Sequence, residues 1–79
     1  MTIKLLITGG TFDKEYNELN GELFFRATHL HEMLKLGRSR VPVKAKTLMM
    51  IDSLFMTAAH RLRVLAECLA SKEKQIVIT

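Results

Sequence analysis

Two short aliphatic segments, one near each end of the sequence, constrain the fold more than any other feature. Ile3 to Thr8 and Gln75 to Thr79 are aliphatic along almost their whole length. Strands that are covered on both faces, as in parallel sheets, have such near-continuous apolar runs, whereas half-exposed strands alternate apolar and polar residues. The two segments therefore predict parallel strands of an α/β fold.

A third segment, Val41 to Thr47, has the alternating pattern. Valine and alanine alternate here with proline and lysine, as on a strand with one solvated face. Pro42 cannot donate a hydrogen bond to a neighbouring strand, and lysines discourage edge-to-edge association, so this strand is expected at an edge of the sheet. Numbered along the chain, the three parallel strands are then expected in the order 2-1-3.

The first gap between strands has the signals of a short helix. Thr28 is a suitable N-cap, and Leu30, Met33 and Leu34 have the spacing of one helix face. Gly37 is expected to take the left-handed conformation that ends many helices. We predict a helix between Thr28 and Gly37.

A second helix is expected in the next gap, with Thr57 as its N-cap. Its apolar residues recur at helical spacing: Ala58, Leu62, Leu65 and Leu69. Positive side chains occupy its first turns, where the helix dipole favours negative charge. We therefore expect this helix to depend on the packing of its apolar residues.

An insertion separates the first strand from the first helix. Residues Glu15 to Phe25 contain Asn20-Gly21 between two short runs, which is a strong signal for a tight hairpin turn. An insertion of this length is more typical of a lid or binding loop than of packing filler. The complete prediction is an α/β unit with a three-stranded parallel sheet, two helices and an inserted hairpin.

The predicted sheet has two open edges, and its last strand stops at Thr79. A chain of 79 residues forms one domain at most. We therefore expect the chain to be cut short.

Charge and hydropathy exclude several classes of partner. The net charge is +4, but the basic stretch from Lys35 to Lys46 has no interleaved aromatic residues for base stacking, so no nucleic-acid interface is expected. No apolar run approaches the roughly 18 residues of a membrane span, and the first residues do not have the pattern of a secretory signal. We expect a cytoplasmic protein that does not bind a membrane.

Three interpretations are open for the loop Gly9-Gly10-Thr11 that follows the first strand. A phosphate-binding loop would need further glycines, but Asp13 to Glu15 stand there and their two carboxylates would repel a pyrophosphate, so no nucleotide cofactor is expected. A nucleophile loop would use the glycines to turn sharply and to present the Thr11 hydroxyl. A plain strand-to-loop turn is the third interpretation. The histidines lack metal-ligand spacing, so no metal is expected either.

Hydroxyl side chains follow all three predicted strands: Thr8 and Thr11 after the first, Ser53 beside Asp52 after the second, and Thr79 in the third. Ligands of open parallel sheets bind beyond the carboxyl ends of the strands, so we expect these side chains to form one polar pocket. Tyr16, in the hairpin, is a candidate to reach Thr11 when the hairpin closes.

These motifs together carry a resemblance. The run from Ile7 to Phe12, the Asp52-Ser53 segment with Met56 close behind, and the final strand Ile76 to Thr79 resemble the N-terminal part of the bacterial-type L-asparaginase family, especially its short single-domain members. The resemblance spans essentially all 79 residues. It implies that residues 1–79 are the N-terminal part, about half, of a Rossmann-like α/β domain. It favours the nucleophile interpretation of the glycine loop.

The resemblance implies hydrolysis of the side-chain amide of L-asparagine to aspartate and ammonia, without a cofactor. Thr11 corresponds to the threonine that attacks the amide carbon and forms an acyl-enzyme. Tyr16 lies near the position of the tyrosine that helps to activate it. Ser53 matches the serine that holds the substrate α-carboxylate, with Asp52 beside it.

The sequence also departs from the family pattern. The second motif, a His-Gly-Thr-Asp-Thr run, would begin after Thr79, and a later lysine is missing as well. Leu54 and Phe55 replace the Gln-Asp of the larger enzymes. We therefore expect this chain alone to be inactive. The alternative is a non-catalytic fragment or an oligomerisation module, and the open sheet edges lead us to expect a homo-oligomer.

Overall fold

The structure, a computed structural model, describes residues 2–79. Its helices and strands, numbered along the chain, are β1 (Ile3–Ile7), β2 (Lys14–Asn17), β3 (Glu22–Phe25), α1 (Leu30–Leu36), β4 (Val43–Thr47), α2 (Ala58–Ala70) and β5 (Gln75–Ile78). β1 is the middle strand of a three-stranded sheet of order β4-β1-β5, and both neighbours run parallel to it. The predicted α/β class and the 2-1-3 order of the parallel strands are confirmed.

The core lies on both faces of β1, which explains its uninterrupted apolar sequence. Leu5 and Ile7 face one side of the sheet and pack against Leu30 of α1. Leu6 faces the other side, where α2 and the segment after β4 cover it. Side chains alternate between faces along a strand, so a strand covered on both sides needs apolar residues at consecutive positions.

α1 begins close to its predicted position but ends differently. Gly37, expected to be left-handed, has the right-handed helical conformation, with φ −75° and ψ 0°. The left-handed residue is Arg38, with φ 54°. The amide of Ser39 donates to the carbonyl of Leu34, and that of Arg38 donates to the carbonyl of Lys35. These two bonds form a Schellman motif, with its left-handed residue one position later than predicted.

The predicted apolar face of α1 is only partly correct. Leu30 is buried and Leu34 packs against the same cluster, whereas Met33 is 46% exposed. The amide of Leu30 donates to the Thr28 hydroxyl at 3.1 Å, so Thr28 does bind the start of the helix. The N-cap position itself is His29.

α2 begins at the predicted N-cap. The Thr57 hydroxyl accepts from the amide of His60, and the His60 ring accepts from the amide of Thr57 at 2.9 Å. This reciprocal capping box satisfies two amides at the N-terminus of the helix. It stabilises the helix start despite the basic residues of the first turns.

The predicted packing face of α2 is wrong. Leu62, Leu65 and Leu69 are 64%, 53% and 79% exposed, whereas Val64 and Cys68 pack on the sheet. The helix carries two apolar stripes, and the charges of the sheet select between them. Lys4 of β1 is buried, and the stripe of Val64 and Cys68 brings Glu67 next to it.

The predicted hairpin is present as a separate antiparallel pair, β2 and β3. Asn17 pairs with Glu22, so the loop between the strands has four residues and is wider than the expected two-residue turn. Gly21 has φ 72°, a left-handed conformation that suits glycine. None of the helices in the described residues has the length and apolarity to cross a lipid bilayer.

Candidate functional site

The glycine loop lies where β1 meets the segment that follows β4. The amides of Leu48 and Ile51 donate to the carbonyls of Ile7 and Thr8, at 2.9 and 3.0 Å, so this segment crosses the carboxyl end of β1. Gly9 has φ 109°, and a Cβ atom there would lie 2.5 Å from the backbone nitrogen of Ile51. Only glycine fits this position, because both the conformation and the close approach exclude a side chain.

A cavity of about 270 Å³ opens beside this crossing. Residues from the ends of all three parallel strands line it: Thr8, Gly9, Gly10, Thr11, Ile51, Asp52, Ser53, Met56 and Thr79. Thr11 and Ser53 each begin a short 3₁₀ turn, and both are exposed. The structure thus brings Thr11, Asp52 and Ser53 together at one cavity, as the position of parallel strand ends predicts.

Thr8 and Thr79, which directly follow the neighbouring strands β1 and β5, differ in their hydrogen bonds. The Thr8 hydroxyl donates to the carbonyl of Thr79 at 2.5 Å and so joins the two strand ends. The Thr79 hydroxyl oxygen is shielded from solvent and has no hydrogen-bond partner among residues 2–79. Thr8 therefore has a structural bond, whereas the Thr79 hydroxyl is buried without one.

Asp52 connects the cavity to the hairpin. Its carboxylate accepts from the Lys14 ammonium at 2.5 Å and from the amide of Leu54 at 3.0 Å. The Lys14 bond, followed by the Leu54 bond, lowers the pKa of Asp52 below its ordinary value. The ion pair thus contributes stability above the ordinary pKa of an aspartate, and this contribution is lost as the pH falls through the lower folded value. Lys14 lies in β2, so the pair fixes the base of the hairpin to the Ser53 turn.

Tyr16 is not among the residues that line the cavity. It is 62% exposed, and its hydroxyl lies 3.7 Å from the place where a Cβ atom of Gly21 would be. The side chain therefore points along the hairpin towards its loop. The structure does not bring Tyr16 to Thr11.

Two residues that anchor this site were not singled out from the sequence. Asp13 is fully buried, and its carboxylate accepts from the Thr28 hydroxyl at 2.9 Å and from the His29 amide at 2.7 Å. It thereby fixes the start of α1 against the glycine loop. Lys14 forms the ion pair with Asp52. Both directly follow the loop, and their sequence pattern indicated only that the carboxylates of Asp13 and Glu15 would repel a phosphate.

The chemistry of the cavity lining is simple. Asp52 is the one ionisable side chain among the lining residues, and its carboxylate already has two donors. The lining therefore offers alcohol groups without a free base next to them, although an alcohol nucleophile needs such a base. Residues 2–79 contain no group of three or more metal-ligating side chains placed to hold an ion.

Comparisons with known proteins do not identify a family. No protein-family model matches the chain, and no curated protein matches it at a significant level. The asparaginase resemblance and the Rossmann-like assignment thus stay predictions from the motifs.

Proposed function

We propose that this chain supplies the nucleophile half of an asparaginase-like amidohydrolase site. In this proposal the Thr11 oxygen attacks the side-chain amide carbon of L-asparagine, the amide nitrogen leaves as ammonia, and water then hydrolyses the threonyl ester to release aspartate. Ser53 and Asp52 hold the amino-acid end of the substrate. The reaction needs no cofactor.

The observation that carries the proposal is the shared cavity of Thr11 and Ser53. The Gly9 turn directs the chain so that Thr11 is exposed at the end of the central strand, opposite the Ser53 turn. A volume of about 270 Å³ suits a small amino acid rather than a polymer.

In this proposal the base that takes the proton of the Thr11 hydroxyl is a group that does not line the cavity. Tyr16 would have to swing towards Thr11 with the hairpin, whose base is held by the Lys14 and Asp52 pair. The family pattern also supplies a threonine, an aspartate and a lysine after the position of Thr79. We therefore propose substrate binding by the chain alone and hydrolysis only when the second motif is supplied.

Binding is tested by titrating the chain with L-asparagine and L-aspartate and recording amide NMR shifts. We expect shifts at Gly10, Thr11 and Ser53 that weaken in Ser53→Ala. Thr2→Ala, a threonine change beyond the opposite end of β1, is the matched control and should leave the titration unchanged. Shifts spread over the whole chain, or none at all, would argue against an amino-acid site.

Hydrolysis is tested by continuing the chain at Thr79 into the C-terminal half of a short asparaginase and measuring ammonia release. We expect activity that Thr11→Ala lowers by at least about three orders of magnitude, as loss of a nucleophile does. Thr11→Ser should keep part of the activity because it retains the attacking oxygen. Equal rates with and without the Thr11 hydroxyl would end the nucleophile assignment.

A further inference from the structure

His60 closes the capping box of α2 through one particular ring nitrogen. Its Nδ1 accepts from the backbone amide of Thr57 at 2.9 Å, and the Thr57 hydroxyl accepts from the His60 amide at 3.4 Å. A backbone amide can only donate, so Nδ1 carries no proton and the neutral ring has its proton on Nε2. The contact with Thr57 therefore requires both one charge state and one tautomer of this histidine.

A proton on Nδ1 would turn this acceptor into a donor. The ring N–H and the Thr57 amide would then face each other at a distance that suits a donor and an acceptor. The Thr57 hydroxyl oxygen, 3.1 Å from Nδ1, can accept the new proton, but the Thr57 amide loses its partner. The capping box is thus complete only while the ring is neutral.

The charges of α2 itself act in the same direction. A protonated ring would lie in the first turn of a helix of 13 residues, where the helix dipole disfavours positive charge. Arg61 and Arg63 already place two positive charges in this part of the helix, and its first turn has no acidic residue. Protonation of His60 would add a third positive charge there.

The segment between β4 and α2 does not supply a free carboxylate to His60. His60 precedes Val64 by one helical turn, and Val64 packs on the cluster of Leu6, Leu48 and Met49. The ring is therefore on the side of α2 that faces β1 and this segment. From position 48 to position 56 the segment has one charged residue, Asp52, and Lys14 binds its carboxylate.

The charged side chains of the neighbouring strands lie further along α2. Lys4 of β1 and Lys46 of β4 pair with Glu67, two turns after His60, and β5 has no charged residue. Lys44, the other charged residue of β4, is two positions further from the carboxyl end of that strand. Among residues 2–79, no ion pair includes His60.

The cap is continuous with the wall of the candidate cavity. Met56 lines the cavity and directly precedes Thr57, and its amide donates to the Ser53 carbonyl at 3.2 Å. The Arg61 guanidinium donates to the Met56 carbonyl at 3.4 Å. The first turn of α2 thus holds the segment from Ser53 to Met56 in place.

We propose that His60 is a pH-sensitive cap: protonation of its ring opens the capping box, loosens the first turn of α2 and frees the Ser53 side of the cavity. Histidine ordinarily takes up a proton between about pH 5 and 8, so the cap responds to mild acidification. Protonation costs the folded chain a hydrogen bond that the unfolded chain does not have. The cap therefore contributes stability at neutral pH, and this contribution is lost as the pH falls.

NMR of the natural chain tests the bond directly. Long-range ¹H–¹⁵N spectra at about pH 7.5 should show the His60 ring with its proton on Nε2. During acidification the Thr57 amide shift should move together with the His60 ring signals, and the amides of Ser53 and Met56 should follow. A proton on Nδ1 at neutral pH, or a Thr57 amide that does not respond while the ring titrates, would overturn the proposal.

Urea unfolding at about pH 7.5 and about pH 5 tests the effect on stability. His60→Gln keeps an acceptor at a position where glutamine forms capping boxes, but it does not titrate. We expect the ratio of folded to unfolded chain to fall about fivefold more in the natural chain than in His60→Gln, as loss of one cap predicts. His31→Gln, at an exposed histidine of α1, is the matched control and should behave like the natural chain.

His60→Glu gives a second comparison, because glutamate also closes capping boxes and stays ionised over this pH range. Its stability should change with pH as little as that of His60→Gln. The same loss on acidification in the natural chain and in these two variants would show that His60 is not the pH-sensitive group.

Discussion

The two flanks of the central strand β1 differ in how they are held and in what they expose. On the β4 flank, Gly9 closely approaches Ile51, Glu67 pairs with Lys46, and Pro42 and lysines protect the outer edge. On the β5 flank, the Thr8 hydroxyl donates to the Thr79 carbonyl and so joins the two strand ends. The outer edge of this flank is apolar. Parallel strands with similar pairing to β1 can thus differ in how they are held and in the composition of their outer edges.

The largest expected effect tests the tight packing of the β4 flank. Gly9→Ala would force a Cβ atom against the Ile51 backbone in a left-handed conformation. Because neither backbone can move freely, we expect a loss of about 3 kcal/mol or more in the free energy of unfolding. Urea denaturation at one fixed protein concentration measures it.

Gly10→Ala is the matched control for this prediction. A Cβ atom there would meet the ring of Phe12, which is 43% exposed and can rotate away. We expect a loss several-fold smaller than for Gly9→Ala. Similar losses at the two glycines would show that the close approach to Ile51 does not hold the β4 flank together.

An intermediate effect is expected from the charged contacts of the same flank. Glu67→Gln removes the carboxylate shared by Lys4 and Lys46 and leaves the buried Lys4 with Glu73 at 4.0 Å. We expect the free energy of unfolding to fall by about 1–2 kcal/mol. Most of this loss comes from the poorly solvated Lys4 ammonium, because Lys46 is half exposed and can be solvated by water. Thermal and urea unfolding would measure this loss.

Glu73→Gln provides the comparison for the Glu67 prediction. Among residues 2–79, its carboxylate forms an ion pair only with Lys4, at 4.0 Å, and none with β4. We therefore expect a smaller loss than for Glu67→Gln. The reverse order would mean that Glu67 does not select the packed face of α2.

The smallest effect is expected on the β5 flank. Thr8→Val keeps the shape of the side chain but removes the hydroxyl bond to the Thr79 carbonyl, which still accepts from the Thr8 amide at 2.9 Å. We expect the free energy of unfolding to fall by about 1 kcal/mol. Slower exchange of the amide hydrogens between β1 and β4 than of those between β1 and β5 would support the difference between the two flanks. A loss as large as that of Gly9→Ala would contradict it.

The candidate site was predicted in part because strand ends converge in any parallel sheet. Once the three strands were identified, Thr11, Ser53 and Thr79 were expected at one rim, and they line one cavity. Tyr16 could not be placed in the same way. Its position depends on how the hairpin lies against the rest of the chain, and the Lys14 and Asp52 pair that fixes the hairpin joins residues 38 positions apart.

The sequence alone determined the strands, their order, the capped start of α2 and the hairpin, because these follow from local periodicity, capping and turn chemistry. The tertiary structure decided which stripe of α2 is buried, since both stripes are apolar; the buried stripe of Val64 and Cys68 brings Glu67 to Lys4 and Lys46. At the end of α1, local bonds from the amides of Arg38 and Ser39 to the carbonyls of Lys35 and Leu34 accompany a left-handed residue at Arg38, where the sequence predicted Gly37. Local patterns specify segments, whereas charges on distant residues decide how those segments face each other.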